Sequence, residues 1–412
     1  MFLTVTALVS AAQAQKFTVL HTFHLGKGPY GPSGKLTQDA EGNLYGVAGG
    51  GTGTCFSNTP CGTVYKMTTA GQLVWVYSFE GPGTDGNEPT TGLLRDAKGN
   101  LFGVTLYGGV NTKTCSDNVQ RICGVVYELD HTGKKETVLH RFAGGSGGSV
   151  PEVVPIQDSS GKLYGTTIWG GDQNDGVVYE VDQAGKFSLL YDFQGGADGG
   201  TDSAFIWGLN GNLYGVANDG ANAAGVVFEL DRTGKETVLY NFTGGSDGST
   251  PDSLIADAAG NLYGTTAYGG NLIDICDENE GCGVVFKLSP NSNGTWTETV
   301  LYTFCSQSNC TDGHRPFGPL LRDSAGNLYG PTVMGGGSHN CNGSDCGIVF
   351  KLDTTGKETV LHAFTDGPDG AFPDALVMDG SNNLYGVANQ GGDDNCHLNG
   401  IPGCGVMFKI TP

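Results

Sequence analysis

The chain has 412 residues, 71 of them glycine, and carries 42 acidic against 21 basic side chains, a formal net charge of −21. A field of that sign repels nucleic acid and anionic membrane surfaces and leaves neutral polymers, cations and basic proteins as partners. No run after the N-terminus approaches the ~18 apolar residues of a membrane-spanning helix, and the glycines sit at regular intervals among Val, Leu, Tyr and Phe, which excludes a flexible linker.

In chain order, the first segment is MFLTVTALVSAAQAQ, an apolar run ending in Ala12-Gln13-Ala14. This A-x-A pattern before Gln15 reads as a signal peptide over residues 1–14 whose positively charged start is missing. KFTVLHTF, residues 16–23, is the first predicted strand. After it, a unit of short strands recurs seven times. In the fifth copy, PDSLIADAAGN from Pro251 gives a strand and a turn, and NLYGTTAYGG gives a second strand. GVVFKL from Gly283 is the third strand, after a cysteine-bearing loop, and TETVLYTF is the fourth. All are rich in Val, Tyr, Phe and Thr and bounded by Gly, Asp and Asn, and no segment has a sustained helical period.

Both halves of the unit recur in register. The second strand opens at Gly42, Gly99, Gly161, Gly211, Gly260, Gly326 and Asn382, with GNLYG, GNLFG, GKLYG or NNLYG. The third strand begins at Gly62, Gly124, Gly176, Gly225, Gly283, Gly347 and Gly405. The motif aromatics from Tyr45 to Tyr385 give a period of about 57 residues, near the longer propeller repeats. The seventh unit stops after its third strand, and KFTVLHTF has the sequence of a fourth strand, like ETVLHRF at 136–142 and ETVLHAF at 358–364. The N-terminal strand therefore completes the last unit, which closes a ring and removes its sheet edges. The expectation is an all-β fold, a single seven-bladed β-propeller of four-stranded blades over residues 15–412.

The pattern D-x-x-GNLYG-x-T-x-x-GG followed by GVVFKL-D-x-x-GKETVL-x-x-F resembles the GloVer-type (Gloeo/Verruco) tandem repeat of secreted bacterial proteins, over residues 16–412. The resemblance implies an exported propeller and brings no catalytic residues.

The 12 cysteines fall into close pairs: Cys55/Cys61, Cys115/Cys123, Cys276/Cys282, Cys305/Cys310, Cys341/Cys346 and Cys396/Cys404. None has C-x-x-C spacing, so they read as local disulfides of an exported protein, not as zinc ligands. No metal or other cofactor is required. The acidic loops are compatible with Ca²⁺, although no D-x-D-x-D-G ligand series is present.

GNLYG occurs in every unit and so reads as blade-packing scaffold. Function must sit where the units differ. Turns after the first and third strands are monotonous, whereas the loops after the second and fourth strands vary in length and hold every cysteine. These loops share one face of a propeller. On it, Tyr107, Trp169 and Tyr268 precede a Gly-Gly pair, and aromatic rings there suit stacking on sugars. The loops beside Trp169 are the shortest and lack a disulfide, leaving a notch flanked by Asp172, Asp175 and Asp219. At the channel mouth, Glu152, Asp252 and Asp374 follow or begin the innermost strands, with Asp202 close by, and His314 and Arg315 are a basic pair in the same loop series. Carboxylates with a basic pair can supply acid, base and charge stabilisation.

The leading expectation is a secreted propeller that recognises an extracellular polymer, foremost polysaccharide, on the stapled face with Trp169 as anchor. A second reading is a polysaccharide lyase or glycoside hydrolase working at the channel mouth, and a third is a scaffold for protein partners.

Overall fold

The computed structural model describes residues 15–26, 28–55, 59–81, 85–109, 123–200, 205–273, 276, 280–341, 344–393, 395–398 and 401–412. The reading of residues 1–14 as a leader thus lies outside the described residues, as do Cys115 and Asp202.

Seven antiparallel sheets form a ring, with no α-helix among the described residues. Blade 1 comprises Pro29–Gln38, Leu44–Gly50, Thr63–Met67 and Leu73–Ser78. Blade 2 comprises Leu94–Arg95, Leu101–Thr105, Val125–Leu129 and Glu136–Arg141. Blade 3 is built from Ile156–Gln157, Leu163–Thr167, Val177–Val181 and Phe187–Asp192, and blade 4 from Ile206–Trp207, Leu213–Ala217, Val226–Leu230 and Glu236–Asn241. Blade 5 has Ser249–Ala256, Leu262–Tyr268, Val284–Pro290 and Trp296–Thr303. In blade 6 the inner strand is split into His314–Pro316 and Leu321–Arg322, both paired with Leu328–Met334, followed by Ile348–Leu352 and Glu358–Ala363. Blade 7 takes Ala371–Met378, Leu384–Gln390 and Val406–Thr411, and Lys16–Thr22 completes it, paired from Lys16 opposite Thr411 to Thr22 opposite Val406 with a bulge between Val19 and His21.

The recurrent motif is scaffold. Leu44 and Tyr45 are both buried, as are Leu262 and Tyr263, because each face of a blade packs on a neighbour. The glycine that follows is required by close approach: a Cβ at Gly264 would meet the Phe286 ring of the third strand. The ring is sealed by aromatics. The phenylalanine that ends each outer strand is fully buried (Phe23, Phe79, Phe142, Phe193, Phe242, Phe304 and Phe364). Each meets the third-strand ring of the next blade at centroid distances from 5.1 to 5.7 Å, including Phe23 of blade 7 on Tyr65 of blade 1. Such pairs add roughly 0.5–1.5 kcal/mol each beyond area burial.

A second contact between blades follows a rule. Where the outer strand carries a tyrosine, the next blade presents a glutamate: Tyr77 with Glu136, Tyr191 with Glu236, Tyr240 with Glu298 and Tyr302 with Glu358. Where it carries a histidine, the next blade presents an apolar or aromatic residue. His140 stacks on Phe187 at 4.5 Å and His362 on Phe17 at 3.6 Å, while His21 accompanies Leu73 by sequence position. These histidines are packing residues.

Five disulfides join Cys55 to Cys61, Cys276 to Cys282, Cys305 to Cys310, Cys341 to Cys346 and Cys396 to Cys404. Cys123 is also disulfide-bonded, and no described cysteine is free. The Cys276, Cys305 and Cys310 sulfurs cluster, but all three are half-cystines and offer no thiolate to a metal. Thiol titration of the unfolded, unreduced protein is expected to detect no free thiol; a reactive pair in each chain would contradict the six-bridge assignment.

Candidate functional site on the loop face

The loop face carries the exposed aromatic platform. Tyr107, Trp169 and Tyr268 occupy equivalent places at the ends of the second strands of blades 2, 3 and 5. Each main chain is bridged to the incoming inner segment, at Asn87, Ser149 and Ser249. A threonine two residues earlier donates to the aromatic residue's carbonyl: Thr105 at 2.7 Å, Thr167 at 2.9 Å and Thr266 at 2.8 Å. Backbone position is therefore the same, and surroundings distinguish the rings. Tyr268 is half-buried and lies under the Arg315 guanidinium, 5.2 Å from its centroid. Tyr107 is also half-buried. Trp169 is 44% exposed.

The loop after Trp169 is short and cross-tied. Gly170 N–H donates to Asn174 Oδ1 at 3.1 Å, Asp172 N–H to the Asp192 carboxylate at 3.1 Å, and Gly176 N–H to the Gly170 carbonyl at 3.0 Å. Asp172 is exposed at its tip, whereas Asp175 and Asp219 both border Gly200 in the loop entering blade 4. The structure thus brings Asp175 and Asp219 to one place, on a loop bridged to Asn218. A rigid platform loses little conformational entropy on binding.

The channel residues have different surroundings. Asp252 Oδ2 accepts Gly318 N–H at 2.6 Å, and Asp374 Oδ2 accepts Gly34 N–H at 2.8 Å. Each carboxylate of a short-bulged inner strand thus reaches the wider bulge of the next blade. Gly34 must be glycine there, with φ +70° and the Thr91–Gly92 backbone where a Cβ would lie. Enclosure by the ring raises the Asp374 pKa, opposed by the Gly34 and Ala375 N–H groups. His314 is buried, Arg315 turns to Tyr268, and Glu152 is half-buried on the inner segment of blade 3.

One channel residue escaped the sequence reading. Lys35 follows Gly34 on the innermost strand of blade 1, its side chain exposed to the channel while protein surrounds it on every side, and that desolvation lowers its pKa. Phe317, the residue after the inner-strand proline of blade 6 and a channel position by sequence, is 47% exposed between the two segments of that strand. The signal was available: Lys35 is the one basic residue between the inner-strand proline and the following turn outside the residues paired with the second strand.

The opposite face is less uniform than its turns suggest. In blades 1, 5, 6 and 7 the turn aspartate accepts from an Asn side chain and from the motif tyrosine, as Asp39 does from Asn43 at 2.8 Å and Tyr45 at 2.9 Å. A third-strand lysine lies over that tyrosine: Lys66, Lys287, Lys351 or Lys409. The cluster holds the Asp39 pKa down to about 2; burial works against this and hydrogen bonds from Asn43, Tyr45 and Lys66 outweigh it. Blades 2, 3 and 4 put Glu128, Glu180 and Glu229 at the lysine position.

Comparison with known proteins agrees with this architecture. The model of the Gloeobacter/Verrucomicrobia repeat matches residues 112–342 and 277–412. No curated protein matches the chain in sequence. Among solved structures, the extracellular domain of a hybrid two-component system from B. thetaiotaomicron is similar at 12% identity and TM-score 0.56, covering 96% of this chain and 41% of that one. The chain spans about two fifths of that relative's length. A gluconolactonase from Xanthomonas campestris matches at 13% identity and TM-score 0.40 over 69% of this chain and 78% of its own. A luciferin-regenerating enzyme matches at 13% identity and TM-score 0.46 over 80% and 92%. At 12% identity the likeness to the extracellular domain concerns the fold alone.

Proposed function

Because the chain belongs to the Gloeobacter/Verrucomicrobia repeat family and closes its repeats into a propeller with one disulfide-stapled loop face, we propose that it is an exported recognition protein that binds an extracellular polysaccharide on that face. The observation that carries the reading is Trp169: a large aromatic ring, 44% exposed, on a main chain pinned by Ser149 and Thr167. Apolar faces of sugar rings stack on such platforms, and flanking carboxylates such as Asp172 accept from hydroxyls. The disulfides support export, since they persist in oxidising compartments. Recognition is favoured over turnover because Asp252 and Asp374 are engaged by backbone N–H groups and Arg315 by Tyr268.

A glycan array, read both for binding and for release of reducing ends or unsaturated products, tests the reading. Stacking of one ring on an indole contributes on the order of 1–2 kcal/mol. Trp169→Ala is therefore expected to weaken the best ligand roughly tenfold with an unchanged melting temperature. Unchanged affinity would remove Trp169 from the site, and product release would replace recognition by catalysis.

A further inference from the structure

A cleft of about 380 Å³ opens on the face opposite the disulfides, between blades 3 and 4. This is within the range of small-molecule sites, roughly 300–1,000 Å³. Its lining includes Lys162 and Trp207, two positions at which these blades depart from the other copies. Blade 3 has Lys162 where the other six have asparagine, and blade 4 has Gly208 where the others have the turn aspartate. Blade 4 also has Trp207 one position earlier, where the others have Gln, Arg, Ala or Met.

These departures rewire the local chemistry. Lys162 Nζ pairs with Glu180 at 2.6 Å, and Tyr164 donates to Glu180 at 3.0 Å and to Asp158 at 3.2 Å. Trp207 is held by its indole N–H on the Gln157 carbonyl at 3.1 Å and meets the Tyr164 ring edge to face at 5.2 Å. Arg232 lies 5.5 Å from the indole and donates to the Gly211 carbonyl at 3.1 Å. Loss of the turn aspartate leaves Asn210, Asn212 and Tyr214 to bond Glu229 instead, which leaves Trp207 without the Asp–Asn–Tyr cluster beside it.

We propose that this cleft is a second binding site, for one or two residues of a saccharide. Asp158, Glu180, Asp231, Lys162 and Arg232 supply acceptors and donors for sugar hydroxyls, beside a fixed aromatic wall formed by Trp207. Acids and bases nearly balance, so the cleft takes a polyhydroxylated ligand of low charge rather than an anion or a metal ion. The site stands independently of Trp169, which belongs to the other face.

The test titrates the full chain with xylobiose, cellobiose, chitobiose and digalacturonate, read by calorimetry and tryptophan fluorescence. The informative variant is the double substitution Lys162→Asn with Glu180→Lys. It installs the residues that blades 1, 5, 6 and 7 carry at those positions and so keeps a wiring the fold already uses. At least one neutral disaccharide is expected to bind, equally in the parent and in Trp169→Ala. Its affinity should fall about tenfold or more in the double variant, and its fluorescence change should vanish in Trp207→Phe. Binding that survives both changes, binding lost in Trp169→Ala alone, or no signal from any of the four sugars at about 10 mM overturns the assignment. Preferential binding of digalacturonate overturns the low-charge ligand class.

Discussion

Removal of residues 16–23 is expected to leave a chain that aggregates or loses cooperative unfolding. Those residues form the outer strand of blade 7, hydrogen-bonded along Val406–Thr411. Phe17 stacks on His362 at 3.6 Å and lies 5.6 Å from Phe408. Phe23 is fully buried against Tyr65 of blade 1. Truncation thus opens an unpaired edge and strips the contact between the last blade and the first. Emptying a buried phenylalanine site alone costs about 3–5 kcal/mol, a large share of the ~5–15 kcal/mol that separates folded from unfolded domains. Phe23→Ala, which keeps the strand, provides the graded comparison: it should fold and melt well below the parent. Scanning calorimetry and size exclusion decide the matter. A truncated protein that is monomeric and melts like the parent would show that the seam between blades 7 and 1 is not needed for stability.

Replacing Glu136, Glu236, Glu298 and Glu358 together by glutamine is expected to stabilise the protein at pH 8 and to leave it unchanged near pH 4. Each of these carboxyls has its pKa raised to about 7, first by burial and then by the aspartate of the preceding blade: Asp85, Asp198, Asp247 and Asp312 respectively. Arg141 opposes the shift at Glu136. Each has a buried Oε1 without a hydrogen-bond partner. The neighbouring aspartate is occupied by a tyrosine hydroxyl, at 3.0 Å for Tyr77 on Asp85 and 2.7 Å for Tyr302 on Asp312.

The folded-state pKa lies above the unfolded value, so the folded protein holds these protons longer. Their contribution is fully present below about pH 4.5 and is lost as pH rises to about 7. The full shift is discounted heavily because the side chains are only half-buried, leaving about 1 kcal/mol per site. Glutamine reproduces the protonated form and removes the loss. The quadruple variant should therefore gain a few kcal/mol at pH 8, seen as a higher melting temperature. Comparison with the parent cancels the other titrating groups. These include His140, whose pKa burial lowers to about 4 and which costs stability as pH falls below about 6.5. Parallel melting profiles for parent and variant from pH 4 to 8 would show that the four carboxyls titrate in the folded protein as they do in the unfolded chain.

The ring, its seven blades, the closing strand and the scaffold role of GNLYG are determined by the sequence itself, because each is a periodic property. A strand with its turn recurs at a fixed interval, and the unmatched fourth strand at one end completes the unit lacking it at the other. Local cysteine spacing is of the same kind: a separation of five to eight positions already places the sulfurs within bonding reach. The tertiary structure decided what depends on pairs one repeat or more apart. Trp169 and Tyr268 are equivalent in sequence, yet Arg315 covers only the second. Asp252 and Asp374 are equivalent to a free carboxylate in sequence, yet each accepts the backbone N–H of the following blade. The alternation of tyrosine with glutamate and of histidine with an apolar partner spans two blades, and Lys162, Glu180, Trp207 and Arg232 become one cleft only when blades 3 and 4 pack. In each case the partner is set by the angle at which one blade packs on the next, which no window of a single repeat contains.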